Sequence, residues 1–262
     1  MDSIVDLSLW QLSLFSLTLV IPFAINHYYQ LELARDMAIG VGRMTLQLIA
    51  IGAYLEYLFN INSLLVNLVW IGLMILIGSL SIINKAKLPY RYLFLPVTTG
   101  LLFGLSPLLA LICIVFIQPT PIYNAQYLIP LAGMLLGNSL SGNIVALQNL
   151  FSAYEDRKEE YEGAISLGAS PVYASMPFLR NAIQKSFAPI LASMVTTGLV
   201  TLPGMMTGQI LGGIAPMTAI KYQLLIMIAI FVMMSISVTL SLRLSLNSVI
   251  NPQGRILVNT MK

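Results

Sequence analysis

Of the 262 residues, 58% are hydrophobic and 9% charged, and the mean hydropathy is +0.86. Soluble domains carry about a quarter charged residues, so the composition excludes a water-soluble globular domain and specifies a polytopic membrane protein. The net charge of +3 comes from scattered lysines and arginines, which points to membrane topology and against nucleic-acid binding. The single cysteine, Cys113, sits in an apolar run and excludes an intrachain disulfide.

The N-terminus opens with Asp2 and Asp6 and has no small-x-small site after its apolar stretch, so no signal peptide is expected there. A helix needs roughly 20 apolar residues to cross a bilayer. Seven stretches qualify: residues 5–25, 39–59, 64–83, 93–117, 127–150, 188–201 and 219–242. Pro96 and Pro107 interrupt the fourth, and Pro203-Gly204 breaks the sixth. Twelve of the 13 basic residues fall on alternate connections or the tail, with Lys221 the exception. The positive-inside rule then places the N-terminus outside and the C-terminus in the cytoplasm of the plasma (inner) membrane. Residues 31–42 form an amphipathic lead-in to the second span, with Glu32, Arg35 and Asp36 on one helical face. The chain reads as a single transmembrane domain over 1–262, with a cytoplasmic segment at 151–187.

Small residues recur at four-residue spacing in Gly100-x-x-x-Gly104, in Gly133, Gly137 and Ser141, and in Gly208-x-x-x-Gly212. Such spacing lets helices approach closely in lipid, either within one bundle or between two copies. Catalytic patterns do not occur: no HExxH, GxSxG, CxxC or Walker loop is present, and His27 is the only histidine. An enzyme is not expected. Energy for uphill movement would have to come from a partner, because the only intramembrane acid, Glu56, falls near the end of its span.

Transport-path candidates are polar or helix-breaking. Asn138 and Ser141 lie one turn apart, with Asn143 on another face; they bond a neighbouring helix or face a wet cavity. Pro203 and Gly204 interrupt the sixth span, and non-helical backbone at membrane depth must line a cavity or be buried in protein. The segment from Leu202 through Gln209 to Gly213 is therefore a candidate path or outer gate, with an ordinary surface loop as the alternative. Met205 and Met206 are read as packing residues, with soft metal ligands as the competing reading. Arg43 and Gln47, one turn apart, either snorkel to the interface or pair inside the bundle.

The longest polar interruption runs from Glu155 to Pro189. Glu155–Lys158, Arg157–Glu160 and Lys158–Glu162 fall at helical spacing, predicting a salt-bridged solvated helix. Glu162-Gly163-Ala164-x-x-x-Gly168-Ala169-Ser170-Pro171 follows: a helix closed by glycine, then a proline opening a second helix. Such an elbow is a shape that a soluble partner can grip.

That string resembles the EAA-x-x-x-G coupling loop of ABC-transporter membrane subunits, with Gly163 in place of the first alanine. Further similarity lies in Val41-Gly42-Arg43-x-x-x-Gln47-Leu48, in Ile129-Pro130-Leu131-Ala132-Gly133-Met134-Leu135-Leu136-Gly137-Asn138, in Leu202-Pro203-Gly204-Met205-Met206-Thr207-Gly208, and in Ala219-Ile220-Lys221-Tyr222-Gln223. Together these strings are similar to the permease family of the proposed bacterial iron-export ABC transporters, which includes the plant aluminium-tolerance half-transporters. The resemblance implies an all-α membrane subunit that works as a homodimer with a separate ATP-binding cassette ATPase. It implies that ATP and Mg are held by that partner and that this chain holds no cofactor of its own. Glu162, Gly163, Ala164, Gly168, Ala169, Ser170 and Pro171 would make the ATPase-coupling elbow. The implied role is export of a solute, iron or another metal ion first. A non-metal solute such as a nucleotide sugar is an alternative, as is a scaffold that recruits an ATPase without transport. No metal-binding residues follow from the resemblance.

Overall fold

A computed structural model describes residues 8–251 and 254–257, and every regular element among them is helical. Ser8 opens α1 (Leu9–Ser16) with a reciprocal capping box to Gln11, and a 3₁₀ turn (Leu17–Leu19) joins it to α2 (Val20–Tyr28). Then come α3 (Ala34–Ile61), α4 (Leu64–Ala86) and α5 (Tyr90–Leu111), which continues into a π turn (Ile112–Ile117). The remaining helices are α6 (Ala125–Asp156), α7 (Lys158–Ser166), α8 (Pro171–Thr196), α9 (Gly204–Leu211) and α10 (Pro216–Val249).

Short connections force the long helices up and down. Asn62 (φ 42°) and Lys87 (φ 56°) take the left-handed conformation that stops α3 and α4, so each reverses within a few residues. The bundle therefore has an α7 end, where the chain passes from α4 to α5 and from α6 to α8. Its α9 end holds the α3–α4, α5–α6 and α8–α10 connections. Every described basic residue except Lys221 belongs to the half nearer α7 or to the segments beyond it.

The most extensive interface joins α5 to α10, antiparallel. Gly100 and Gly104 make it possible: a Cβ on Gly100 would overlap Ser241 Oγ and stand 2.8 Å from the Ser237 carbonyl, and one on Gly104 would stand 3.1 Å from the Met233 carbonyl. This glycine pair packs within one chain. The core then extends through α4, α6 and α8, with Leu93, Val97, Leu101, Leu147, Leu150 and Leu242 fully buried. On α10, Ser237, Ser241 and Ser245 form a buried polar line at four-residue spacing, and Asn143 Nδ2 donates to Ser237 Oγ at 3.0 Å.

Five helices among the described residues are long and apolar enough to span a membrane: α3, α4, α5 with its π turn, α6 and α10. The expected first span falls short because the 3₁₀ turn divides it, and its residues 5–7 lie outside the described residues. The expected sixth span takes in only the last nine residues of α8, whose first 15 residues carry Arg180, Asn181, Gln184 and Lys185. Pro177 and Pro189 lie inside that helix, as Pro96 and Pro107 lie inside α5. Each proline removes one ladder bond, and tertiary packing keeps the helix running. Pro203-Gly204 does not break a helix. The helix has already ended at Thr196, and Pro203 caps α9, where its fixed φ (−61°) suits a helix start. Residues 204–211, expected as non-helical backbone, are helical.

Helix α3 is the outlier. It meets the bundle only near its α9 end, where Leu58 is buried and Tyr54 and Phe59 pack around it beside Trp70; its apolar span is otherwise unburied.

Candidate functional site

The chain from Asp156 to Pro171 makes two sharp changes of direction, each with a local cause. Arg157 leaves helical geometry (φ −121°, ψ 36°) and separates α6 from α7. At the far end of α7, Gly168 takes φ +90°, and the Gly168 and Ala169 N–H groups donate to the carbonyls of Ile165 (2.9 Å) and Ala164 (3.0 Å). This is the Schellman closure, with the alanines of its hydrophobic contact, Ala164 and Ala169, both packed on the core. Ser170 then caps α8, its Oγ accepting from the Tyr173 N–H at 3.3 Å, and Pro171 takes the first position.

Glu162 is mostly exposed and lies 3.5 Å from Lys158 Nζ; Arg157 pairs with Glu160 one turn earlier. The expected Arg157–Glu160 and Lys158–Glu162 pairs thus form. Gly163 has open space where a Cβ would be, so its lack of a side chain leaves α7 bare at that point. At the tip, Leu167 is 90% exposed. Val172, Tyr173 and Met176 continue this apolar surface along the start of α8.

Behind this surface the turn is braced. Tyr154 of α6 stacks on Phe178 of α8 at 4.9 Å, Tyr161 of α7 meets Tyr154 edge-on at 5.3 Å, and the Arg157 guanidinium lies 4.9 Å from the Phe178 ring. Tyr161 Oη donates to the Gly254 carbonyl at 2.8 Å, and burial holds its phenol above the ordinary range. The C-terminal segment folds back over α7, with Ile250 bridging to Ile256 and Gly254 (φ +80°) seated against Ile165. Displacing α7 therefore displaces the ends of α6 and α8.

The other candidates are dispersed. Asn138 turns back on its own helix, donating to the Met134 carbonyl at 2.8 Å, and Ser141 is exposed. The inter-helix bond is made by Asn143 instead. Met206 is buried and Met205 packs on the core. Pro203 and Gly204 start α9, on which the buried Gln209 Oε1 has no hydrogen-bond partner among the described residues. These residues do not converge on one chamber. A groove of about 1380 Å³ does open between α3 and the α4–α6 face, taking in Arg43, Gln47, Asn84, Lys85, Gly133 and Gly137. Among the described residues, no group of three or more His, Cys, Asp or Glu side chains is placed to hold a metal ion.

The family model described as "Uncharacterised protein family (UPF0014)" matches residues 9–250. This chain belongs to UPF0014. It is 30% identical over 258 residues to the "Probable iron export permease protein FetB" of Escherichia coli, covering 96% of this chain and 95% of that one. It is 34% identical over 213 residues to the "UPF0014 membrane protein slr1647" of Synechocystis, covering 79% and 80%. Protein ALUMINUM SENSITIVE 3 of Arabidopsis thaliana is 32% identical over 217 residues, covering 81% and 77%. No solved structure matches the chain.

Two features of this UPF0014 protein escape motif reading, and a third is readable. Leu167 is one of the unspecified positions inside the Glu162–Gly168 string, and only its exposure distinguishes it. Gly254 reaches Tyr161 across 93 residues of sequence, which no local pattern signals. The serine line of α10 does carry a signal, the Ser-x-x-x-Ser-x-x-x-Ser spacing from 237 to 245.

Proposed function

We propose that this UPF0014 chain is the membrane subunit of an ABC exporter, working as a homodimer with a separate ATP-binding cassette subunit that holds ATP and Mg. The α7–α8 turn docks that subunit. The observation that carries this reading is the turn itself: an exposed apolar knob at Leu167 on a helix–glycine–helix corner braced by the Tyr154, Tyr161 and Phe178 rings. A surface of that kind passes a push from a soluble partner into α6 and α8 as one body. The distribution of basic residues supports an α7 end in the cytoplasm and an N-terminus outside. In that orientation α8 and the α1–α2 stretch complete seven crossings in the inner membrane.

The exported solute is iron or another metal ion, a reading supported by the name of the E. coli relative, a probable iron export permease. A non-metal, anionic solute such as a nucleotide sugar is the second reading, favoured by the presence of Arg43 and Lys85 in the α3 groove with no carboxylate beside them. The test is ATP turnover in lipid vesicles of this protein with an ATP-binding cassette subunit, with and without Fe(II). Metal-stimulated turnover that disappears in Gly168→Trp supports docking and metal export together. Stable association without any effect of iron removes the metal. A scaffold would recruit the ATPase through the same elbow and transport nothing, so loss of transport in Glu162 and Gly168 variants that still bind the ATPase favours coupling. Failure to associate overturns the docking role.

A further inference from the structure

The groove between α3 and the α4–α6 face has two chemically different halves. At its α7 end stand Arg43, Gln47, Ser81, Asn84, Lys85 and Tyr90, and no carboxylate lines any part of it. Neither cation has an ion-pair partner among the described residues. Towards the α9 end the walls are Leu48, Ile51, Met74, Ile77 and Leu140. Because α3 packs on the bundle near its α9 end and its apolar span is otherwise unburied, the groove is open at its side along α3, where lipid would lie if α3 spans the membrane.

We propose that this groove is a binding site for one anionic phospholipid from the leaflet at the α7 end. Its phosphate sits between Arg43 and Lys85, with Gln47 and Asn84 as hydrogen-bonding neighbours. One acyl chain lies along Leu48, Ile51, Met74 and Ile77. The apolar half is what selects a lipid over a soluble anion: a dissolved phosphate would leave those walls facing water, whereas an acyl chain covers them. The basic half selects the headgroup. Two cations with no acid satisfy a net negative lipid, while the ammonium of a zwitterionic headgroup would find no carboxylate to pair with and two like charges to repel it. Basic pockets between membrane helices at the headgroup level recognise lipids in this way. The bound chain also fills the gap between α3 and the bundle, so the lipid acts as packing material for a helix that has little protein contact of its own.

Native mass spectrometry of the full-length protein, released from membranes containing equal amounts of phosphatidylglycerol and phosphatidylcholine, tests this. One phosphatidylglycerol per chain is expected to survive release. Each of Arg43→Gln and Lys85→Gln is expected to lower its retention about fivefold, and the double variant about 25-fold. Lys87→Gln and Arg91→Gln, which neutralise basic residues at the same end but outside the groove, are expected to change nothing. Arg43→Lys with Lys85→Arg is expected to keep the lipid, which separates loss of charge from loss of fold. Equal retention of phosphatidylcholine, an equal effect of Lys87→Gln, or an undiminished lipid in the double variant would each overturn the proposal. So would displacement of the lipid by millimolar pyrophosphate, which would assign the groove to a soluble anion. Release of the chain with no lipid at all would mean that protein closes the groove.

Discussion

Replacing Gly100 with alanine is expected to loosen the α5–α10 interface measurably, whereas the same change at Gly137 is not. Alanine in place of glycine inside a helix contributes about 1 kcal/mol of intrinsic helix preference at either site. At Gly137 nothing lies within 4 Å of the new Cβ, so that gain stands alone. At Gly100 the new Cβ overlaps Ser241 Oγ and comes within 2.8 Å of the Ser237 carbonyl and 3.0 Å of the Ser241 nitrogen. A hydroxyl can rotate away, but the two backbone atoms cannot move without shifting the helix. Overpacking of this kind costs about 1–3 kcal/mol, and two backbone contacts place Gly100 near the upper end. Net of the helix gain, Gly100→Ala loses about 2 kcal/mol. For a chain of this size that lowers Tm by about 4–8 °C, while Gly137→Ala raises it by about 2–4 °C. Gly142→Ala falls between them, because its close neighbour is the flexible Met234 side chain, at 2.5 Å from the added Cβ. Thermal unfolding of the purified protein in one detergent, followed by intrinsic fluorescence, gives the order directly. If Gly100→Ala melts at or above Gly137→Ala, close α5–α10 packing through Gly100 is wrong.

Tyr161→Phe removes the donor to the Gly254 carbonyl and leaves a buried acceptor unpaired, which costs about 1–3 kcal/mol of tail docking. Trypsin is expected to cut after Arg255 faster in this variant than in the parent, and an unchanged cutting rate would refute the clamp. Burial raises the Tyr161 phenol above its ordinary value in the folded chain, so its stabilisation is complete below about pH 10. That stabilisation is lost only as pH rises through the higher folded value, and Tyr161→Phe is expected to lack this alkaline step. Met205→Leu with Met206→Leu conserves core volume and is expected to cost less than about 1.5 kcal/mol. Metal-stimulated turnover that fell in the pair while Tm held would instead mark the thioethers as ligands.

The α7–α8 turn was legible because its geometry is local. Gly168, Ser170 and Pro171 each supply what one position of a helix stop or start requires, and that chemistry is written in consecutive residues. Helices α4, α6 and α10 were legible because lipid demands long apolar runs, although α6 and α10 extend beyond their apolar stretches into polar sequence. What failed was punctuation. Pro203-Gly204 reads as a break when it opens α9, and the polar first half of α8 reads as an interruption when the helix runs straight through it. A proline starts a helix as readily as it ends one, and only the tertiary path decides which. Arg43 and Lys85 were visible as charges, but their shared groove depends on α3 diverging from the bundle, a property of packing between helices. The hold of Gly254 on Tyr161 is likewise a contact made only after folding.

The docking claim is tested most directly by photo-crosslinking from two equally exposed leucines at opposite ends of the bundle. Leu167 and Leu199 are each 90% exposed. A p-benzoylphenylalanine placed at one or the other, in membranes that also hold an ATP-binding cassette subunit, reports which end that subunit covers. The account predicts a crosslinked product from position 167 and none from position 199. A product from 199 alone, or equal products from both, would contradict it.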